Sequence, residues 1–259
     1  MLSEITNFLP GHPWQDRIQY FETLGSTNTY AKQLATEGAS EGTVIIAGQQ
    51  TAGRGRLGRC FSSPAGMGIY MSVILRPGCR PEELMHLTCA AGVAAVKATN
   101  EPNIGIKWTN DLVIGKRKLG GILTELAVDP VSGNVDWAVV GIGINCCQKS
   151  GQFPEEIQDL ACSLEMDRQD MPSLFAALIG TLYEMRRDLL TKKADIMAEF
   201  TSRCVTIGHE ISILRGDEVR HGKAIGIDAD GGLQVVYRDG STATVTSGEV
   251  SIRGMYGYL

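Results

Sequence analysis

Residues 104–145 constrain the fold more tightly than any other stretch of the chain. Four apolar runs follow one another there: Ile104-Gly-Ile-Lys-Trp108, Asp111-Leu-Val-Ile114, Lys118 to Ala127, and Asp136 to Asn145. A turn at Thr109-Asn110 and a hairpin at Gly115-Lys-Arg117 separate the first three. Parallel neighbours need a crossover of about a dozen residues or more, which none of these connections provides, so the runs must pair antiparallel. Two further apolar strands are expected at Thr43–Ala47 and Gly68–Leu75, with a short edge strand around Ile18–Phe21 whose Ile18 and Tyr20 turn inward.

Helices fill the intervals. Ser26 or Thr27 is a plausible N-cap for a helix with Tyr30, Ala31, Leu34 and Ala35 on its apolar face, ending at Gly38. Pro81 opens a longer one through Leu84, Leu87, Ala91, Ala94 and Ala95 to about Thr99. Pro172 opens another, striped by Leu174, Leu178, Leu182, Met185 and Leu189, which runs to about Phe200 unless it breaks near Thr191. Residues 146–170 read as loop with a short helical piece over Pro154–Leu164. The class is therefore α+β, a mixed and largely antiparallel sheet with helices packed on it. From Ile207 the pattern changes to five short strand runs, divided by turn signals at Gly216-Asp217, Asp230-Gly-Gly232 and Asp239-Gly240. That describes a small β-barrel ending with the run Val250–Arg253, and divides the chain at 1–206 and 207–259.

Gln50-Thr-Ala-Gly-Arg-Gly-Arg-Leu-Gly-Arg59 is the chemically informative stretch. Gly53, Gly55 and Gly58 let the backbone approach a ligand, while Arg54, Arg56 and Arg59 bring permanent charge and forked donors suited to phosphate or carboxylate. The spacing also satisfies a dinucleotide fingerprint, but that motif needs a helix directly after the glycines, and Cys60 to Gly68 has loop composition. The partner motifs of a kinase glycine-rich loop are missing. Taken alone, the run is most simply a solvated loop. Elsewhere, Ser26-Thr27-Asn28 serves as a helix cap or a grip on a polar head group. Asp111 is a turn cap or a positioned carboxylate, and Trp108 reads as core. Gly141 and Gly143 weaken a strand interior, which suits the close approach of a ligand or another backbone.

Composition narrows the options. With 43% hydrophobic and 20% charged residues the chain can build a core, so bulk disorder is excluded. A net charge of −5 argues against general nucleic-acid binding and gives the local arginines more weight. Seven cysteines without a C-x-x-C pair point to reduced thiols. The N-terminus lacks the features of a signal peptide, and no apolar run reaches the roughly 20 residues of a membrane span. A soluble cytoplasmic protein is expected.

With these pieces in order, the sequence resembles the biotin–protein ligases. The matching motifs are Ser26-Thr-Asn28, Gln50 to Arg59, Lys107-Trp-x-Asn-Asp111, Lys118-Leu-x-Gly-Ile-Leu-x-Glu125 and Gly141-x-Gly-Ile-Asn145. The resemblance implies a class II aminoacyl-tRNA synthetase-like catalytic domain followed by an SH3-like C-terminal barrel. It further implies that ATP activates biotin to biotinyl-5′-AMP, and that the biotin then passes to a lysine on the carrier domain of a biotin-dependent carboxylase. Lys118, Arg54, Arg56 and Asp111 would be catalytic. Biotin would be held by Ser26, Thr27, Asn28, Gln50, Gly53, Arg54, Gly55, Arg56, Lys118, Gly121, Gly141 and Gly143. ATP and the adenylate would be held by Arg54, Arg56, Arg59, Phe61, Lys107, Asn110, Asp111, Lys118 and Asn145. Mg²⁺ would ride on the phosphates with no protein ligand identified, and no tightly bound prosthetic group is implied.

Two departures stand out: Phe61 replaces a tryptophan that covers adenine in some members, and Thr109 replaces the usual proline. The Gly/Arg loop is expected to order over the adenylate and keep water out. Some relatives carry an N-terminal DNA-binding domain, but only 25 residues precede Ser26, so no DNA binding and no membrane partner are expected; a homodimer is allowed. A lipoate–protein ligase is the enzymatic alternative, and a module that holds an adenylate without transferring it is the non-enzymatic one.

Overall fold

The computed structural model describes residues 1–215, 218–246 and 249–252. Helix α1 (Leu2–Asn7) and strand β1 (Ile18–Phe21) open the chain, followed by α2 (Thr27–Thr36), β2 (Val44–Ala47) and β3 (Gly68–Leu75). Next come α3 (Leu84–Thr99), β4 (Ile104–Lys107), β5 (Asp111–Ile114), β6 (Arg117–Val128) and β7 (Val135–Asn145). Helices α4 (Met171–Asp188) and α5 (Lys193–Arg203) lead to β8 (Glu210–Arg215), β9 (Glu218–Ile227), β10 (Leu233–Tyr237), β11 (Thr242–Val245) and β12 (Glu249–Ile252).

The first seven strands form one sheet in the order β1-β2-β3-β7-β6-β5-β4. Every pair is antiparallel except β1 with β2, whose connection contains α2 and is long enough for a crossover. One face carries the main core, in which Met71, Val73, Ile122, Val140 and Ile142 pack with α3 and α4. The other carries α2, whose Ala31 and Ala35 meet Ile45, Ile74, Trp137 and Val139. The α2 face is the one that matters for the site. Register places Asp111 opposite Gly121, Gly121 opposite Gly143, and Gly143 opposite Tyr70; one step along, Leu123, Gly141 and Ser72 are likewise in line. Residues directly opposite share a face, so Gly121, Gly141 and Gly143 form a trough that has no side chains of its own, beside the N-terminus of α2; Asn28 packs over Gly141 and Phe61 over Gly143.

Ser26 is the cap of α2, its hydroxyl accepting from the Thr29 backbone N–H, and Gly38 follows the helix at φ +92°. Two details differ from the sequence expectation. Residues 2–7 are helical, a segment of under two turns and too short to register as a period. Pro154–Leu164 forms turns and no helix, because Lys118 takes hydrogen bonds from this segment instead: its N–H donates to the Leu160 carbonyl at 2.7 Å and its carbonyl accepts from Cys162 at 2.8 Å. The helix opened by Pro172 breaks at the place the sequence allowed, around Thr191: α4 stops at Asp188 and α5 restarts at Lys193.

The last five strands form a separate antiparallel sheet in the order β11-β10-β9-β8-β12. The expected Gly216-Asp217 turn and Arg253 lie outside the described residues. This second unit is tied to the first at Trp108, whose indole N–H donates to the Gly231 carbonyl at 2.8 Å. The Trp108 backbone N–H donates to Thr206 Oγ1 at 2.9 Å, and Lys193 pairs with Asp230 at 2.5 Å. No helix among the described residues is long and apolar enough to cross a membrane.

Candidate functional site

Two adjoining cavities open on the α2 face. The smaller, about 150 Å³, has the glycine trough as its floor and α2's first turn as one wall. It brings together Ser26, Thr27, Asn28, Gln50, Arg54, Gly55, Arg56, Arg59, Phe61, Lys107, Asn110, Asp111, Lys118, Gly121, Gly141 and Gly143. The larger, about 290 Å³, shares Arg59, Phe61, Asp111 and Lys118 with it and adds Asn145. Of the residues expected in the site, Gly53 alone lines neither. It lies at the base of the Gly/Arg loop, accepts from the Phe61 N–H at 3.0 Å, and leaves no room for a Cβ, which would lie 2.4 Å from the Phe61 carbonyl oxygen.

The Gly/Arg loop folds back on itself. Arg54 bridges Cys60, the Gly55 N–H donates to the Arg59 carbonyl at 2.8 Å, and Leu57 turns the corner at φ 54°. The loop is pinned to the sheet by Arg56, which donates to Asn110 Oδ1 at 2.8 Å, while Asn110 Nδ2 donates to the Ile122 carbonyl at 3.0 Å. Phe61 lies on the trough floor; a Cβ on Gly143 would come within 2.7 Å of its ring. Its edge meets Tyr70 at 6.4 Å and 71°.

Lys118 occupies the seam between the cavities. Its register with β5 shifts between Leu112 and Val113, leaving one extra residue on β6, and such a bulge re-aims side chains. The result is a 2.7 Å ion pair between Lys118 Nζ and Asp111 Oδ1. The sequence left open whether Asp111 caps a turn or is a positioned carboxylate; this pairing makes it the latter. Among the described residues it is also the only carboxylate lining either cavity, and no three His, Cys, Asp or Glu side chains cluster to hold a metal. Lys107 is buried in the wall of the smaller cavity.

Several participants were not named as site residues from the sequence, although Leu57, Ile122, Leu123 and Glu125 stand within the matching motifs. Leu57, Ile122, Leu123, Ile142 and Val250 supply apolar wall to the small cavity, Val250 from the second unit. Gln148, Phe153, Ile157 and Leu160, from the segment after β7, wall the larger one; loop composition gave no signal for them. Ser72 and Glu125 lie just behind the first cavity. A lone serine in the otherwise apolar run Gly68–Leu75 was the available clue to the first.

Against known proteins, residues 20–145 match the Biotin/lipoate A/B protein ligase family, and residues 206–253 match the Biotin protein ligase C terminal domain. The chain is 34% identical over 245 residues to the bifunctional ligase/repressor BirA of Bacillus subtilis, spanning 92% of this chain and 75% of that protein. The chain belongs to the biotin protein ligase family. The biotin–[acetyl-CoA-carboxylase] ligase of Mycobacterium tuberculosis is 31% identical over 252 residues, covering 93% of this chain and 90% of that one. Among solved structures, the biotin protein ligase from Aquifex aeolicus in complex with biotin and ATP superposes with a TM-score of 0.74 at 29% identity, covering 92% of this chain and 98% of that one.

In this family member, Glu125 anchors the wall behind α2. It receives Lys32 Nζ at 2.6 Å and Asn28 Nδ2 at 3.0 Å. Burial alone would raise its pKa, but these hydrogen bonds and the charges of Lys32 and Arg54 hold it below the ordinary 4.5. A lowered folded pKa gives stability that is complete above pH 4.5 and is lost as the pH falls through the lower folded value. Glu125→Gln is therefore expected to flatten the decline in urea midpoint below that pH. Equal slopes for the two proteins would remove the carboxylate from this account.

Proposed function

We propose that the chain is an ATP-dependent biotin protein ligase acting in two steps within the two cavities. A biotin carboxylate oxygen attacks the α-phosphorus of ATP, forming biotinyl-5′-AMP and expelling pyrophosphate. A carrier-domain lysine amine then attacks the acyl carbon; AMP leaves, and the amine loses its proton as the amide forms. The acceptor is a biotin-dependent carboxylase.

The observation that carries this reading is the position of Lys118, common to a small polar cavity and a larger apolar one. Joining two anions requires fixed positive charge where their oxygens meet, and Arg54, Arg56 and Arg59 line the smaller cavity, Arg59 the larger one as well. We assign the bicyclic head of biotin to the glycine trough, beside Ser26, Thr27 and Gln50. We assign the adenine to the larger cavity, between Phe153, Ile157 and Leu160, with Asn145 and Phe61 at its edge. Asp111 orients Lys118 and the incoming amine. Since the described residues of the cavities include a single carboxylate, paired with Lys118, Mg²⁺ is assigned to the nucleotide's phosphates, where it neutralises charge. The catalytic unit is taken as residues 1–206 and the second as 207–259. The net charge of −5 supports a reading without DNA binding.

Isotope exchange between pyrophosphate and ATP tests the first step directly. Exchange is expected with biotin and Mg²⁺ together and not with biotin left out or replaced by lipoate. Equal exchange with lipoate, or none with biotin, would sink the reading.

A further inference from the structure

Beside the trough, Asn28, Ser72 and Thr27 form a hydrogen-bonded row whose proton directions are fixed from one end. Asn28 Nδ2 lies 3.2 Å from the Leu123 carbonyl and 3.0 Å from Glu125 Oε2. Both are acceptors, so the amide nitrogen faces them and Oδ1 faces Ser72 Oγ at 2.6 Å. Gly141 makes room for this arrangement, since a Cβ there would lie 1.9 Å from Asn28 Oδ1.

An amide oxygen only accepts, so Ser72 must direct its single proton to Asn28. Ser72 Oγ also lies 2.8 Å from Thr27 Oγ1. With no second proton to offer, it accepts there and Thr27 donates. The competing acceptor for Thr27, Gln50 Oε1, is farther at 3.1 Å and already receives the Thr27 backbone N–H at 2.8 Å. Ser72 is fully buried and Asn28 nearly so, so no water reorders the row. Thr27 therefore turns lone pairs, and no proton, towards the cavity it lines.

We propose that Asn28 and Ser72 are positioning residues that hold the Thr27 hydroxyl as an obligate acceptor, selecting a ligand N–H over an oxygen at that point. The ligand N–H is one of the two ureido donors of biotin, so this selection presupposes the biotin-ligase reading above.

Biotin and its two cyclic-carbamate analogues, each with one ureido N–H replaced by oxygen, are compared in pyrophosphate exchange. The unmodified protein should reject one analogue by on the order of a hundredfold in KM, because two acceptors then face each other. In Ser72→Ala, Thr27 loses its short acceptor and keeps only the longer contact to Gln50 Oε1 at 3.1 Å, so its proton is no longer confined to the wall and can turn to the cavity. The KM for biotin should rise by about tenfold while that for the rejected analogue falls, contracting their ratio by more than tenfold. Generalised damage would raise both and leave the ratio alone. An unchanged ratio in a variant with the original Tm overturns the proposal. Thr27→Val is the second variant, and should contract the ratio by weakening biotin only; an unaltered preference there overturns the acceptor role of Thr27. Absence of biotin-dependent exchange in the unmodified protein would instead refute the ligase reading.

Discussion

Replacing Lys118 by alanine is expected to lower biotinyl-5′-AMP formation by on the order of a hundred- to a thousandfold, the usual cost of removing one preorganised group that stabilises charge developing in the transition state. The amine is held at 2.7 Å from Asp111 on a bulged strand and borders both cavities. No solvent reorganisation is then needed when the carboxylate and phosphate oxygens converge. Lys118→Arg keeps the charge but replaces a compact ammonium with a planar fork, so it should recover only part of the rate. Single-turnover formation of the adenylate separates this from weakened binding: the chemical step should fall while the biotin concentration for half-saturation moves far less. Retention of adenylate formation within a few-fold of the original in Lys118→Ala would remove the amine from the reaction.

The largest expected effect on stability lies at Trp108. Its side chain is 3% exposed and donates to Gly231 in the second unit, while its backbone N–H bonds Thr206. Truncation to alanine should cost about 3–5 kcal/mol, from the lost burial and the cavity left behind. Trp108→Phe keeps much of the ring volume and loses the indole hydrogen bond, leaving the Gly231 carbonyl without that donor, a cost of about 1–3 kcal/mol. Urea unfolding of the three proteins measures the series. A loss below about 1 kcal/mol for alanine would mean that the two units are held together elsewhere. Because Trp108 also lines the smaller cavity, together with Val250 from the second unit, the destabilised variant should bind biotin more weakly as well.

Much of the framework could be read from local signals. The three short connections in 104–145 leave antiparallel pairing as the only option, and β4 to β7 pair that way. Ser26 and Gly38 bound α2 because a hydroxyl before a helix and a glycine after it act on adjacent backbone groups. The segment after β7 was opaque for the opposite reason. Pro154–Leu164 has no period of its own, and its conformation is set by hydrogen bonds to Lys118, some 40 residues earlier.

By itself, the sequence determined the antiparallel pairing within 104–145, the two ends of α2, the loop rich in glycine and arginine, and the motifs that carry the family resemblance. Each depends on neighbours a few residues apart or on residue identity alone. Only the tertiary structure decided that Asn28 faces Glu125, that Ser72 stands between Asn28 and Thr27, and that a bulge turns Lys118 onto Asp111. The links through Asn28 and Ser72 join positions 44 to 97 residues apart, and the bulge exists only once β5 and β6 have paired. The direction of a hydroxyl proton follows from every acceptor around it, and those acceptors come together only when the sheet has formed.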